Sequence, residues 1–107
     1  MDTAVRAIAE PRRREILRLI WTRELPAGRI ASHFAITRPA ISQHLRVLKE
    51  AGLVHERRDG TRRLYRARPE TIAEVRRFLD AFWDEGLQRL KAAAEAEERR
   101  KRTRRHR

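Results

Sequence analysis

A mainly α-helical fold with one small β-hairpin is what this sequence predicts, and three observations predict it. Apolar residues recur in steps of three and four through most of the chain. One stretch, residues 53–67, changes period around Asp59-Gly60, and Asp-Gly between two candidate strands is a strong hairpin signal. Pro11, Pro39 and Pro69 each open an apolar-periodic run, in a first helical turn where a missing N–H costs nothing. A chain of 107 residues suits one ordinary domain.

The elements follow in order. Ala4, Val5, Ile8 and Ala9 carry a helix over residues 3–10. A second helix starts at Pro11. Ile16, Leu17, Leu19 and Ile20 form its apolar stripe, closed by Trp21, with Arg12, Arg13, Arg14 and Arg18 on the other side. Leu25 to Gly28 reads as a break. A short helix over about 27–34 turns Ile30, Ala31 and Phe34 inward, and Ala35-Ile36 is a tight connection. Thr37 is placed to cap the next helix, 38–51, and Gly52 to end it. The hairpin strands are 53–58 and 61–67. Pro69 opens a long helix with Ile72, Val75, Leu79, Phe82, Trp83, Gly86, Leu87 and Leu90 in steps of three and four, fading by Ala96. That makes about five helices, a domain over 1–96, and a tail over 97–107.

Charge narrows the function. There are 27 Lys+Arg against 15 Asp+Glu, a net charge of +12, which favours a polyanionic partner. Only Lys49, Lys91 and Lys101 are lysines; the rest are arginines, whose planar fork suits phosphate. Residues 99–107 hold seven of the cations and no apolar residue, so self-repulsion predicts an extended, disordered tail. With no cysteine, disulfides, thiolate catalysis and cysteine metal sites are excluded. No signal peptide is visible after Met1, and no run nears the roughly 18 apolar residues of a membrane span, so a cytoplasmic protein is expected. The acids stand among arginines at salt-bridge spacing, and no glycine-rich phosphate loop is present. Neither an enzyme nor a cofactor is expected.

Two helices joined by a tight turn, with Ile30, Ala31, Phe34, Ile36, Ile41, Leu45 and Leu48 inward, make a helix-turn-helix. On the second helix Ile41, Leu45 and Leu48 lie within about 60° of one another. Arg38, Ser42, Arg46 and Lys49 follow a neighbouring face, with Pro39 and Gln43 further round. Arg can read guanine, Gln adenine, and Ser a phosphate or base edge, so this face suits a major groove. The hairpin carries Arg57, Arg58, Arg62, Arg63, Arg66 and Arg68, too many guanidiniums for two short strands to bury. Alternation divides them between two faces; Arg62 and Arg63, near the tip, are the first candidates for phosphate or minor-groove contact. The predicted double-stranded-DNA contacts are therefore Thr37, Arg38, Pro39, Ser42, Gln43, His44, Arg46, Lys49, Arg57, Arg58, Arg62 and Arg63. His44 stands at the margin, about 60° from the core face, as a partly buried or phosphate-facing residue. An RNA-binding protein of this size would more often expose aromatics for base stacking.

These residues resemble the ArsR/SmtB family of winged helix-turn-helix repressors over roughly residues 3–90. Ala7 to Leu17 is similar to the family's opening, Ile36 to Leu48 to its recognition helix, and Ala51 to Val54 with Arg58 to Arg62 and Tyr65 to its wing. The resemblance implies a homodimer through the first and last helices, with Val5, Ile8, Leu79, Phe82, Trp83, Leu87 and Leu90 at the interface. The residues themselves agree, because Leu79, Phe82 and Trp83 lie on a helix that outruns the small core. A two-fold dimer implies an inverted-repeat operator, and the resemblance implies repression by promoter occlusion. Metal-sensing relatives often carry two cysteines where Pro26 and Gly28 stand here, and the last helix has no histidine, so no metal is expected. No small-molecule effector is named by the sequence.

Overall fold

Glu10 breaks the chain between α1 (Asp2–Ala9) and α2 (Pro11–Leu19): its backbone is extended, its carboxylate accepts from the Arg13 N–H, and Pro11 occupies the first turn. The computed structural model describes residues 1–105. After α2 come β1 (Leu25–Pro26), α3 (Ala27–Ala31), α4 (Arg38–Glu50), β2 (Val54–Asp59), β3 (Arg62–Ala67) and α5 (Pro69–Arg105). Two units divide the chain. Residues 1–75 hold α1 to α4, the sheet and the first turns of α5; the second is the remainder of α5 from Arg76.

The first unit is held by one apolar core. Ile16, Ile20, Ile30, Ile41, Leu45, Leu48, Leu53 and Val54 are its largest fully buried side chains. Each contributes roughly 1.5–3 kcal/mol of burial. The stripes predicted for α2 and α4 supply most of them. Trp21 differs: α2 ends at Leu19, Ile20 takes the last inward position, and Trp21 is left 48% exposed.

Leu25-Pro26, expected to be a break, forms a short edge strand. It pairs antiparallel with β3, Leu25 against Tyr65 and Pro26 against Leu64, giving a three-stranded sheet in the order β1-β3-β2. Proline is tolerated there because one edge of the strand has no partner to donate to. The hairpin turn also shifts by one residue from Asp59-Gly60. Asp59 pairs with Arg62, so Gly60-Thr61 forms the loop, with Gly60 at φ +64. A first central glycine with positive φ is the pattern of a type II′ turn.

Helix α3 is shorter than expected and ends in a tight turn, with Phe34 N–H donating to the Ala31 carbonyl at 3.1 Å. Phe34 is only half-buried, and the Arg12 guanidinium stacks over its ring at 5.2 Å. Helix α4 begins as predicted, with the Thr37 hydroxyl accepting from the Ala40 N–H at 3.3 Å. It ends on Gly52 at φ +76, where Leu53 N–H donates to the Leu48 carbonyl and Gly52 N–H to that of Lys49. This pair of bonds is a Schellman motif, sealed by Leu53 and Leu48 in the core.

The stretch from residue 97 is helical to Arg105, where charge repulsion predicted an extended tail. The acids just before it supply the difference. Glu97 pairs with Arg100 at 2.7 Å and Glu98 with Arg102 at 3.8 Å, while the Thr103 hydroxyl donates to the Arg99 carbonyl. These i,i+3 and i,i+4 pairs join residues of high helix propensity. His106 and Arg107, part of the predicted tail, lie outside the described residues.

Candidate nucleic-acid interface

The inward stripe of α4 fixes which of its side chains remain free. With Ile41, Leu45 and Leu48 buried, Arg38, Pro39, Ser42, Gln43, Arg46 and Lys49 are exposed, as is the cap Thr37. This is the face expected to meet DNA. The Arg38 guanidinium lies across Gly28 of α3, where an added Cβ would sit 3.3 Å from it. Gly28 therefore leaves room for the Arg38 side chain to lie against α3.

His44 does not share that face. It is half-buried on the opposite flank of the stripe, with Nδ1 3.4 Å from an Arg13 nitrogen and 3.9 Å from the Glu10 carboxylate. Arg13 also donates to the Ala7 carbonyl at 2.7 Å. The cluster ties α1 and α2 to the middle of α4, and His44 stands in it as a partly buried residue, one of the two placements its angle from the core face allowed. Burial pushes the Glu10 carboxyl up, but the Arg13 and Arg12 N–H groups and the neighbouring His44 and Arg13 charges outweigh it and hold it below the ordinary value.

Strand register sorts the wing arginines. Val54, Glu56 and Arg58 share one face with Ala67, Tyr65 and Arg63; His55, Arg57 and Asp59 share the other with Arg66, Leu64 and Arg62. On the first face, Glu56 links the wing to α4: its carboxylate lies 3.0 Å from the Lys49 ammonium and 3.5 Å from an Arg63 nitrogen. Arg58 stands directly opposite Arg63. Like charges in that position repel, and a bound anion relieves the repulsion. Burial and the Glu56 charge together push the Tyr65 hydroxyl above its ordinary pKa.

The second face is differently engaged. Arg57 grips Glu24 with two hydrogen bonds, Nε and one terminal nitrogen each at 3.0 Å. That fork holds the Glu24 carboxyl below its ordinary value and raises Arg57. Arg57 thus braces the wing against the segment before β1 through an exposed pair. Arg62 pairs locally with Asp59 at 3.1 Å. Arg63, one of the two first candidates, therefore lies on the Glu56 face, and Arg62 does not.

The sequence reading passed over Glu56 and Glu24. Their signal was present as isolated acids in an arginine-rich region, but only strand pairing shows which cations they hold. Among the described residues no three His, Cys, Asp or Glu side chains gather as a metal site, and no helix is long and apolar enough to cross a membrane.

In the second unit, Phe78, Phe82, Trp83, Leu87 and Leu90 are exposed, Trp83 at 62% and Leu90 at 67%. Phe82 and Trp83 meet edge to face at 5.5 Å. Leu79, Val5 and Ile8 are half-buried.

Comparison with known proteins agrees with this architecture. The family model described as bacterial regulatory protein, arsR family, matches residues 10–56. The chain is 43% identical over 86 residues to the HTH-type transcriptional regulator Rv2034 of Mycobacterium tuberculosis, covering 80% of each protein. It is 43% identical over 60 residues to the transcriptional repressor SdpR of Bacillus subtilis, covering 56% of this chain and 67% of that one. A solution structure of the homodimeric winged helix-turn-helix DNA-binding domain of Mb0332 from Mycobacterium bovis aligns with a TM-score of 0.64 at 33% identity, over 78% of each chain. The chain belongs to the arsR family of bacterial regulatory proteins, and it is a transcriptional regulator with a winged helix-turn-helix, not an enzyme.

Proposed function

We propose that the protein is a homodimeric repressor that binds an inverted-repeat operator in double-stranded DNA. Helix α4 enters the major groove, where Arg38, Ser42, Gln43 and Arg46 reach base edges or phosphates, and the wing face of Arg58 and Arg63 takes the backbone. The observation that carries this is the exposed polar face of α4, free of carboxylate partners from Arg38 to Arg46 among the described residues. The opposed Arg58 and Arg63 support it from the wing.

Dimerisation rests on the second unit. Five large apolar side chains exposed along one helix are more than a monomer leaves bare without a partner. The Mb0332 domain is described as homodimeric, and SdpR as a repressor. A two-fold dimer presents its two α4 helices one DNA turn apart, hence the inverted repeat.

The test is binding to the protein's own upstream DNA and to scrambled DNA of equal length, at physiological salt of about 0.15 M. A preference of roughly a thousandfold or more is expected. Equal, salt-sensitive binding to both would sink the reading.

A further inference from the structure

The last turns of α5 present cations that nothing in the described chain neutralises. Arg100 and Arg102 pair with Glu97 and Glu98, but Lys101, Arg104 and Arg105 have no carboxylate partner among the described residues. At 100° per residue these three fall within about 100° of one another, a single face of the helix. Like charges at i,i+3 and i,i+4 destabilise the helix that carries them. The arrangement is relieved when an anion meets the face.

We propose that this face is a second, sequence-independent contact to duplex DNA. The inference rests on the regulator reading above, which already brings a duplex to the protein. The chemistry favours that partner over the other polyanions. Lys101 to Arg105 contains no apolar residue to enter a bilayer, so a lipid surface would be held by charge alone. No Phe, Tyr or Trp follows Trp83, so this face lacks the aromatic rings on which sequence-reading RNA modules stack several bases. A duplex offers a regular ladder of phosphates. From Lys101 to Arg105 the helix rises about 6 Å, close to the axial rise of two nucleotides of one strand. Helical order also matters: three guanidinium or ammonium groups held on one face lose less freedom on binding than those of a disordered tail.

The experiment compares the full-length protein with a variant carrying Lys101→Gln, Arg104→Gln and Arg105→Gln. Glutamine removes the charge and keeps helix propensity. Binding is followed against salt concentration on a 40-base-pair random duplex, on the upstream DNA and on single-stranded RNA of the same length. The slope of log affinity against log salt should fall by about 2–3 for each bound protomer on both duplexes, at about 0.9 per lost contact. The preference for upstream over scrambled DNA should not change. An unchanged slope overturns the proposal, and so does a loss confined to RNA. A second variant, Arg100→Gln with Arg102→Gln, should lose less slope per charge removed; an equal loss would show that total charge, and not this face, is what matters. Failure of the regulator reading appears separately, as absence of any sequence preference in the unsubstituted protein.

Discussion

The Glu56 carboxylate holds the Lys49 ammonium at 3.0 Å, joining the base of the wing to the last turn of α4. Its side chain is only 16% exposed, and Arg63 approaches the same group. One acid thus partly neutralises two cations, Lys49 and the still exposed Arg63, and weakens their pull on phosphate in general. Replacing it, Glu56→Gln, should release both. The expected result is tighter binding to random duplex, a salt slope steeper by about 1–2, and a smaller preference for the upstream site. Titrations at several salt concentrations check it. An equal loss of affinity on both DNAs would instead mean that Glu56 orders these cations for contact.

Gln43 sits exposed on α4, beyond the arginines, with no side-chain hydrogen bond among the described residues. If it reads adenine, Gln43→Ala should cost about 1–3 kcal/mol on the operator and little on random DNA. Competition binding with both DNAs separates the cases. The same loss on each would show a backbone contact.

The Glu24–Arg57 fork gives a prediction in pH. Glu24 titrates below its ordinary value of 4.5 because Arg57 donates to its charged form. A depressed carboxyl contributes stability above the unfolded value and loses it as pH falls through the folded one. Glu24→Gln should therefore lower the melting temperature near neutral pH, and the gap from the parent should close well below pH 4.5. Thermal melts at neutral and acid pH read it. A gap that persists in acid would mean the pair stabilises by packing and not by charge.

Gly60 has open space around its missing side chain, so its φ of +64 is the only constraint on substitution. Gly60→Ala should destabilise the wing turn by about 1 kcal/mol, and Gly60→Asn by less, because asparagine tolerates this backbone region. Denaturant unfolding of the two variants tests the order.

How much of this was legible beforehand varies by element. The α4 stripe and its Thr37 cap were legible because both depend on residues within four positions of each other. The wing's existence was legible from Asp59-Gly60, but its turn residues were not: register is set by pairing, and the true loop is Gly60-Thr61. Leu25-Pro26 carries no strand signal of its own; only a partner forty residues away, Tyr65, makes it one. The same distance hid the uses of the charges. Arg57 looked free, and His44 was placed only at the margin of the core, because Glu24 and Glu10 meet them through the fold. The C-terminal helix was misjudged for a more local reason, since repulsion was weighed over residues 99–107 without the two glutamates preceding them.

Trp83 tests the assembly. It lies 62% exposed, edge to face with Phe82, in a helix where Phe82, Leu87 and Leu90 are similarly bare. If a second copy covers this surface, Trp83→Arg places an unpaired charge in a desolvated interface, which costs several kcal/mol. Sedimentation should then show a monomer where the parent protein is a dimer. The first unit has its own core and should keep its helical signal and melt cooperatively. The monomer carries one α4 in place of two, so its salt slope on upstream DNA should fall by about half and most of the preference for an inverted repeat should vanish. A variant that stays dimeric and keeps that preference would move the interface away from this helix.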